Sequence, residues 1–191
     1  MLRAELVKRD NSKDNAVTID INIAQLLKQP TGSGREYDIQ ESIRGIDPLL
    51  DPVGPLSAHV KLVRTKSGVL LSFSGKSSLR TPCSRCLEPA TMPVSLSFEE
   101  EFLQTVDVAS GLPLGTSQDD PAVLIDEHHD LHLAGLVREY LLLALPMHPL
   151  CREDCKGLCP QCGHNLNSGP CSCHVEPVDE RWAALKGLLD K

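Results

Sequence analysis

Eight cysteines carry the strongest chemical signal in this sequence. Two form an isolated Cys-x2-Cys pair, and the other six lie within 23 residues: Cys83 and Cys86, and Cys151, Cys155, Cys159, Cys162, Cys171 and Cys173. Structural zinc sites use four thiolates in a tetrahedron, and a Cys-x2-Cys turn supplies two of these ligands at once. Segment 149–177 has too few apolar side chains to fold around a hydrophobic core of its own. We therefore predict that zinc is the cofactor and that it stabilises this segment.

Eight thiols are enough for two complete four-thiolate sites, but the spacing allows two partitions. We favour the one that uses every thiol and builds each site from two short pairs: Cys159 and Cys162 with Cys171 and Cys173, and Cys83 and Cys86 with Cys151 and Cys155. The other keeps one zinc within residues 151–162 and leaves the last two cysteines as auxiliary thiols. His164 and His174 are alternative ligands. An iron–sulfur cluster is an alternative cofactor because it uses the same thiolates.

The rest of the composition is typical of a cytosolic globular protein. The 191 residues are 41% hydrophobic and 24% charged, and the cysteine content is below that of a disulfide scaffold. No apolar run reaches the roughly 20 residues of a membrane helix, and residues 1–6 lack the apolar stretch of a secretory signal. We therefore predict a cytoplasmic location, no membrane partner, and cysteines that stay reduced and bind metal.

Alternating apolar and polar residues, together with the turns between them, predict five strands. They cover residues 17–23, 56–62, 69–73, 77–82 and 90–98. The last two strands flank the first cysteine pair, which places that pair at the tip of a hairpin. Gly, Pro and Ser residues predict loops at 30–36 and 107–121.

Two helices are predicted after this strand-rich part. Leu and Val residues on one broad face predict a helix over 131–145, with Asp130 as its N-cap, and a shorter helix is predicted to begin at Asp179. The predicted fold is α+β: an antiparallel β-sheet with a packed central helix, a C-terminal helix and a cysteine-rich zinc module. The predicted domains are a sheet domain over 1–148, which carries the Cys-x2-Cys knuckle and the central helix, and a metal-binding module over 149–191, whose C-terminal helix packs on the same core.

The sequence gives no indication of catalysis. A nucleophile, a base and an orienting group do not occur together, so we do not expect an enzyme. His128 and His132 could share a helical face with Asp130, but histidines near a helix start are usually surface or core residues. The three glutamates at 99–101 could act as an acid or a base only with a partner, and such runs more often line a solvated strand end.

Two segments resemble the signatures of a bacterial family, YceD, the large ribosomal RNA subunit accumulation proteins. The first is the knuckle Pro-Cys-Ser-Arg-Cys-Leu-Glu-Pro at 82–89, and the second is Leu-Ala-Leu-Pro at 143–146, followed by the cysteine-rich stretch 151–163. Asn-Leu-Asn at 165–167 and the predicted C-terminal helix also fit. The resemblance implies a role in the accumulation of 23S ribosomal RNA, with metal binding and nucleic-acid binding. Because some family members lack the second cysteine cluster, it also implies that zinc stabilises the scaffold rather than performing the shared function.

Charge patterning indicates how such a protein would contact RNA. Residues 52–87 hold six basic residues and no acidic ones, whereas residues 88–137 hold ten acidic residues and no Lys or Arg. Aromatic residues make up 3%, too few for a base-stacking platform, so contact would be with phosphates. The predicted RNA contacts are the basic residues beside the two cysteine groups: Lys76, Arg80, Arg85, Arg152 and Lys156. We predict ribosomal RNA, or a large-subunit assembly intermediate, as the partner.

The acidic segment supports an alternative. It could hold a basic ribosomal protein, which would make the chain a zinc-stabilised protein-binding adaptor without direct RNA contact. A third interpretation is that the two charged segments interleave and neutralise each other in the folded chain. RNA contact predicts an affinity that falls steeply with salt, whereas an adaptor would co-purify with a basic protein.

Overall fold

The computed structural model describes residues 17–115 and 123–173. Its elements, in chain order, are β1 (Asp20–Asn22), α1 (Ala24–Leu27), β2 (Gly34–Glu41), β3 (Asp51–Pro52), β4 (Leu56–Arg64), β5 (Gly68–Pro82), β6 (Pro89–Gln104), β7 (Leu124–Ile125), β8 (Asp130–His132) and α2 (Ala134–Ala144). The main sheet has the order β2-β4-β5-β6-β7, with β3 paired to β5, and a small second sheet pairs β1 with β8. β7 runs parallel to β6, and the other pairs are antiparallel. The predicted antiparallel sheet is therefore confirmed.

The β5–β6 hairpin carries the first cysteine pair. Its two strands stay in register from the pair Gly68–Leu103 to the pair Pro82–Pro89. The turn that contains Cys83 therefore lies at the tip of a long hairpin, as the sequence predicts. Such a tip projects beyond the sheet, where another segment of the chain can reach it.

β5 is one continuous strand, so the predicted break between 69–73 and 77–82 is wrong. Gly75 lies inside that break and is typical of a turn in sequence terms. In the structure it points into the core, where an added Cβ would lie 2.9 Å from the ring of Phe73. A glycine is therefore needed for packing at this position, and the strand continues through it.

The main sheet has one buried face and one open face. The inward side chains join those of both helices and the small sheet in one hydrophobic core. Three aromatic rings form a stack in this core. The ring centroid of Tyr140 in α2 lies 4.2 Å from that of Phe98, which lies 4.7 Å from that of Phe73. The outward face of β4, β5 and β6 carries mostly Ser, Thr and charged side chains. Burial of one face thus leaves a broad polar surface on the other.

The helix predicted over 131–145 begins later than the sequence indicates. Its first residues form β8 instead, where Leu131 is buried opposite Ile21. Asp130 does not cap the helix, because its carboxylate accepts a hydrogen bond from the Asn22 side chain at 2.7 Å. Pairing with a distant strand therefore outcompetes the helix at this end.

A helix packed across the centre of the sheet, as predicted, is not evident, because α2 has 11 residues and contacts mainly one strand. α2 packs mainly on β6 and buries Leu136, Val137 and Leu141. Arg138 fixes its orientation by donating a hydrogen bond of 2.6 Å to Asp47, a carboxylate that is only 3% exposed. The sheet, rather than a helix, is the scaffold of this fold.

Two strand predictions need correction. The strand predicted over 17–23 is reduced to the three residues of β1. β2 was not predicted, and its first residues fall in the predicted loop over 30–36. β2 lies at the edge of the main sheet and has one fully buried residue, Ile39, so its sequence has no clear apolar alternation.

Some predictions fall outside the part of the chain that the structure describes. These are the helix beginning at Asp179, the alternative ligand His174 and residues 116–121 of the second predicted loop. Residues 107–115 of that loop are described, and a bridge between Val106 and Pro113 closes them. Across residues 17–115 and 123–173, no helix has the length and hydropathy needed to cross a membrane.

His132 links the small sheet to the turn that precedes β8. Its Nδ1 lies 2.8 Å from a carboxylate oxygen of Asp20, and its Nε2 lies 3.2 Å from one of Asp126. The hydrogen bond with Asp20, opposed by partial burial and assisted by Asp126, raises the pKa of His132 above its usual 6.5. Protonation of His132 therefore strengthens this contact.

We predict that the β1–β8 pair is tighter near pH 6 than near pH 8. Because the pKa of His132 is raised in the folded state, its stabilising contribution is complete below the ordinary pKa and is lost as pH rises through the folded pKa. Hydrogen exchange of the β1 and β8 amides, corrected for intrinsic rates, should show protection that falls over this range. His132→Gln should remove the dependence, and an unchanged dependence in that variant would show that another group is responsible.

Candidate metal centres

The structure gathers the eight cysteines into two groups of four. The first group is Cys83, Cys86, Cys151 and Cys155, and the second is Cys159, Cys162, Cys171 and Cys173. Within each group the sulfur atoms lie within 4.8 Å of one another, and all eight thiols are free. This grouping is that of the favoured partition, so each group can offer a complete four-thiolate shell.

The first group joins the hairpin tip to the segment that follows α2. Two of its thiols come from each side, and hydrogen bonds hold the two sides together. The Ser84 N–H donates to the Pro149 carbonyl at 2.8 Å, and the Arg85 guanidinium donates to the Cys155 carbonyl at 2.9 Å. Gly157 packs so closely under the tip that an added Cβ would lie 3.1 Å from the Arg85 carbonyl oxygen. Three of the four cysteines are buried, as expected for a closed structural site.

The sulfur separations in the first group suit a tetrahedral metal ion. Four sulfur ligands at about 2.3 Å from zinc lie about 3.8 Å from one another. The sulfurs of Cys83 and Cys155 are 3.8 Å apart, and those of Cys86 and Cys151 are 3.6 Å apart. These distances are far longer than the roughly 2.05 Å of a disulfide. The donors therefore stand where a metal ion needs them.

The second group is built within one short stretch of chain. The Cys159 N–H donates to the His164 carbonyl, and the Gly163 N–H donates to the Cys159 carbonyl, both at 2.9 Å. This turn brings Cys162 toward the thiols of 171–173. Cys159 is buried, whereas the other three cysteines are half-buried or exposed. His164 supports the turn through its backbone and is not one of the four grouped residues.

Within each group, the pKa of one thiol is lowered and that of another is raised. The Cys86 N–H lowers the pKa of Cys83 to about 6, whereas burial and neighbouring thiols raise the pKa of Cys151 to about 12. Likewise, backbone N–H groups of the second turn lower the pKa of Cys159 to about 6, and hydrogen bonding among the thiols, together with burial, raises the pKa of Cys173 to about 12. Four thiols this close ionise together only when a cation offsets their mutual repulsion. A divalent metal ion supplies that charge.

The same turn recurs after each Cys-x2-Cys pair. The Leu87 N–H donates to the Cys83 carbonyl as the Gly163 N–H does to the Cys159 carbonyl, and the φ angles of Leu87 and Gly163 are 62° and 72°. This left-handed backbone suits glycine but strains a residue with a Cβ. The first turn therefore holds a strained leucine where the second has a glycine.

We predict that Leu87→Asn stabilises the protein by about 1 kcal/mol, because asparagine tolerates left-handed backbone better than leucine. Leu87 is 65% exposed, so little apolar burial is lost. Thermal unfolding should show a Tm that is about 2–4 °C higher. The reverse change, Gly163→Leu, should lower the Tm through backbone strain, since no atom lies within 4 Å of its added Cβ. Two variants with the parent's Tm would contradict this reading.

The sequence analysis missed the supporting role of two asparagines. The Asn167 side-chain amide donates to the Cys155 sulfur at 3.3 Å and to the Asn165 side-chain oxygen at 2.9 Å. The hydrogen bond from Asn167 is the main cause of the lowered pKa of Cys155. The spacing of these asparagines between cysteine pairs is visible in the sequence, but it predicts no contact with the other group.

The stretch that carries both cysteine groups matches a known family. The family model of the large ribosomal RNA subunit accumulation protein YceD matches residues 71–189, which include most of the β5–β6 hairpin and every cysteine. The chain belongs to the YceD family. Through its name, the YceD family links this chain to the RNA of the large ribosomal subunit.

Relatives from bacteria and plants extend this similarity. An uncharacterized protein of Mycobacterium tuberculosis is 29% identical over 180 residues, which cover 91% of this chain and 83% of the relative. A chloroplastic YCED homologue of Arabidopsis thaliana, named a large ribosomal RNA subunit accumulation protein, is 25% identical over 72% of this chain and 49% of its own length. The Zea mays protein of the same name is 26% identical over 85% of this chain and 64% of its own length. No solved structure matches the chain.

Two of the basic residues predicted to contact RNA lie on the open face of the sheet. Lys76 and Arg80 are exposed side chains on β5, four residues and therefore about 13 Å apart. Arg80 lies 3.7 Å from Asp51, an exposed ion pair that is worth little in water. In this YceD family member, both side chains can therefore turn toward a phosphate.

The other three candidates lie around the first cysteine group. Arg85 donates a guanidinium N–H to the Cys155 carbonyl, and Arg152 donates to the Asn167 side-chain oxygen at 2.8 Å. Lys156 is exposed and uses its backbone N–H on the same asparagine oxygen. Substitution of these arginines would therefore disturb the metal centre as well as any RNA contact.

The two charged segments interleave, because β5 pairs with β6. Their contacts are hydrogen bonds to hydroxyl groups rather than ion pairs. Glu99 accepts from Ser72 at 2.8 Å, and Glu101 accepts from Ser67 at 2.7 Å. Among the residues that the structure describes, no ion pair joins a basic residue of 52–87 to an acidic residue of 88–137.

Proposed function

We propose that this chain is a zinc-binding, non-catalytic factor that promotes the accumulation of large-subunit (23S) ribosomal RNA in the bacterial cytoplasm. The pair of four-thiol groups within the YceD segment carries the proposal. Free thiols this close together favour a metal over disulfides in a reducing compartment. The names of the plant relatives supply the link to ribosomal RNA.

Zinc is the metal that we propose, because closed four-thiolate tetrahedra are typical of structural zinc sites. An iron–sulfur cluster would use the same ligands. Elemental analysis of protein purified without added metal should find zinc at up to two ions per chain. Iron with visible absorbance would contradict the choice of zinc, and protein without any metal would contradict the role of the cysteines.

The metal has a structural task in this proposal. The first cysteine group fastens the segment after α2 to the hairpin tip, beside the end of β5 that carries Arg80. Zinc there would hold the two pieces in one fixed arrangement. The RNA-binding surface would then be presented by a rigid tip rather than by a mobile turn.

The open face next to this tip is the surface that we propose for RNA. A shallow groove of about 580 Å³ lies beside Lys76 and is also lined by Ser57, Ser74, Ser95 and the pair His59–Asp38, whose side chains are 2.8 Å apart. Hydroxyl and ammonium groups donate hydrogen bonds to phosphate oxygens without selecting a base. Such a surface suits the sugar–phosphate backbone of a large RNA.

A protein-binding adaptor is the second candidate function. It is favoured by Glu99 and Glu101, whose carboxylates lie on the open side of β6 and, within the described residues, meet hydroxyl groups rather than Lys or Arg. A basic ribosomal protein could pair with these charges. This function would not need direct contact with RNA.

Ultraviolet crosslinking in cells, followed by sequencing of bound RNA and identification of bound proteins, tests the proposal. We expect crosslinks to 23S RNA that map to peptides of the β5–β6 hairpin. Recovery of one basic ribosomal protein without RNA crosslinks would favour the adaptor. A Lys76→Glu, Arg80→Glu protein should fold and bind metal normally but crosslink less.

A further inference from the structure

Asn167 belongs to the loop of one cysteine group but contacts a thiol of the other. The loop lies between Cys162 and Cys171, and both of these residues belong to the second group. The Asn167 amide nitrogen nevertheless donates to the sulfur of Cys155, a member of the first group, at 3.3 Å. This contact connects the two groups through a side chain.

The Asn167 side chain is held in place by every polar atom it has. Its oxygen accepts from the Lys156 backbone N–H and from the Arg152 guanidinium, each at 2.8 Å. Its nitrogen donates a second hydrogen bond, of 2.9 Å, to the Asn165 oxygen, which also accepts the Asn167 backbone N–H at 3.0 Å. The amide orientation is therefore fixed, with its nitrogen facing the sulfur.

The loop that carries Asn167 is anchored from both sides. The Leu166 N–H donates to the Gly157 carbonyl at 2.9 Å, next to the first group. Asn165 of the loop forms a backbone bridge with Leu158, which precedes Cys159. Because the loop also begins and ends on cysteines of the second group, metal binding there would fix the position of Asn167.

An N–H donor on a metal-bound thiolate changes the chemistry of that sulfur. The hydrogen bond withdraws charge from the sulfur, so the thiolate becomes a weaker nucleophile and resists protonation and alkylation. Partners of this kind around a metal are typically worth ten- to a hundred-fold in affinity.

We propose that Asn167 is a positioning residue through which the second cysteine group controls the retention of metal by the first. This inference rests on the proposed metal binding. Its donor N–H protects the Cys155 thiolate, and loss of metal from the second group withdraws that protection. The two centres therefore bind metal with positive coupling, and the first centre is lost more readily when the second is empty.

The full-length, zinc-loaded protein with single substitutions tests this inference. Asn167→Asp keeps an oxygen for Lys156 and Arg152 but cannot donate to the Cys155 sulfur. Asn167→Leu removes both functions, and Ser168→Ala is a matched control at the next, exposed residue. The measurements are iodoacetamide alkylation of each cysteine, mapped by mass spectrometry, and zinc transfer to a coloured chelator.

We expect Asn167→Asp and Asn167→Leu to increase alkylation of Cys155 by about ten-fold or more and to speed zinc loss from the first centre, with Ser168→Ala unchanged. After cobalt substitution, the sulfur-to-metal charge-transfer band should move to lower energy in both Asn167 variants. A merely structural role would not shift this band in a folded variant.

The coupling is tested by emptying the second centre. Cys171→Ser with Cys173→Ser should reproduce the faster alkylation of Cys155. Parent-like behaviour of Asn167→Asp, or of this double variant, would overturn the inference. An effect of Asn167→Leu alone would also overturn it, because only the oxygen contacts would then matter. A parent that gives no cobalt–thiolate bands would instead contradict the proposed metal binding itself.

Discussion

Removal of metal by a chelator is expected to release residues 149–173 from the hairpin tip while the main sheet stays folded. A structural zinc site contributes an apparent free energy of roughly 10–16 kcal/mol, most of which is folding energy. Within 149–173 the buried side chains are those of Cys155 and Cys159, so little apolar burial is left to hold the segment without metal. Hydrogen-exchange protection of these amides should fall at least about a hundred-fold.

The sheet is expected to behave differently because its core is independent of the cysteines. Phe73 and Phe102 are almost fully buried, and the core cluster that contains them includes none of the eight thiols. Amides of β4, β5 and β6 should therefore keep their protection after chelation. Equal protection of 149–173 with and without chelator would show that the segment folds without its metal.

Single cysteine variants separate the two centres. Cys86→Ser should detach the segment from the hairpin tip and expose the Ser84 amide, which donates to the Pro149 carbonyl. Cys162→Ser should instead loosen the second turn, where the Gly163 amide donates to the Cys159 carbonyl. The same pattern of loss in both variants would contradict the assignment of these cysteines to separate centres.

Charge reversal on the open face is expected to reduce RNA affinity strongly. Lys76→Glu with Arg80→Glu removes two phosphate contacts and adds two repulsive charges. The slope of log K against log salt should become shallower by about one unit for each lost contact, or about two units in all. Filter binding to 23S RNA fragments across a salt series is the measurement.

The structure shows which basic residues suit the charge-reversal experiment and which one can serve as its control. Arg85 is excluded, because its guanidinium supports the Cys155 carbonyl and its loss would disturb the metal centre. Lys61→Glu is the matched control, since it reverses a positive charge on the same face, opposite Glu36 in the strand register. Zinc content should be unchanged in all of these proteins.

An affinity and salt slope equal to those of the parent would exclude RNA contact through this surface. The adaptor function predicts that result, together with loss of a basic protein partner when Glu99, Glu100 and Glu101 are replaced by Gln. Glutamine keeps an acceptor oxygen for the hydroxyl groups that these side chains contact. The substitution therefore removes charge with little effect on the β-sheet.

Much of the sheet was predictable from local pattern. Alternating side chains identified β4, β6 and the hairpin tip, because burial of one face of a sheet imposes a period of two on the sequence. The same logic failed at β2, an edge strand with one fully buried residue, and at Gly75, which is glycine because of the side chains across the core. The local sequence pattern does not show which residues lie on the other side of a tertiary contact.

The metal centres show the same division. The cysteine spacing by itself determined that the chain carries four short thiol-bearing segments, because each Cys-x-Cys, Cys-x2-Cys or Cys-x3-Cys pair is local. Which segments meet was decided by tertiary structure, which brings the tip of a hairpin against a segment more than sixty residues away and leaves the second group to close on itself. The hydrogen bond from Arg85 to the Cys155 carbonyl depends on that meeting, and the one from Asn167 to the Cys155 sulfur depends on how segment 151–173 folds back on itself. They could not be read from the sequence, because they join residues whose distance is fixed only by the tertiary structure.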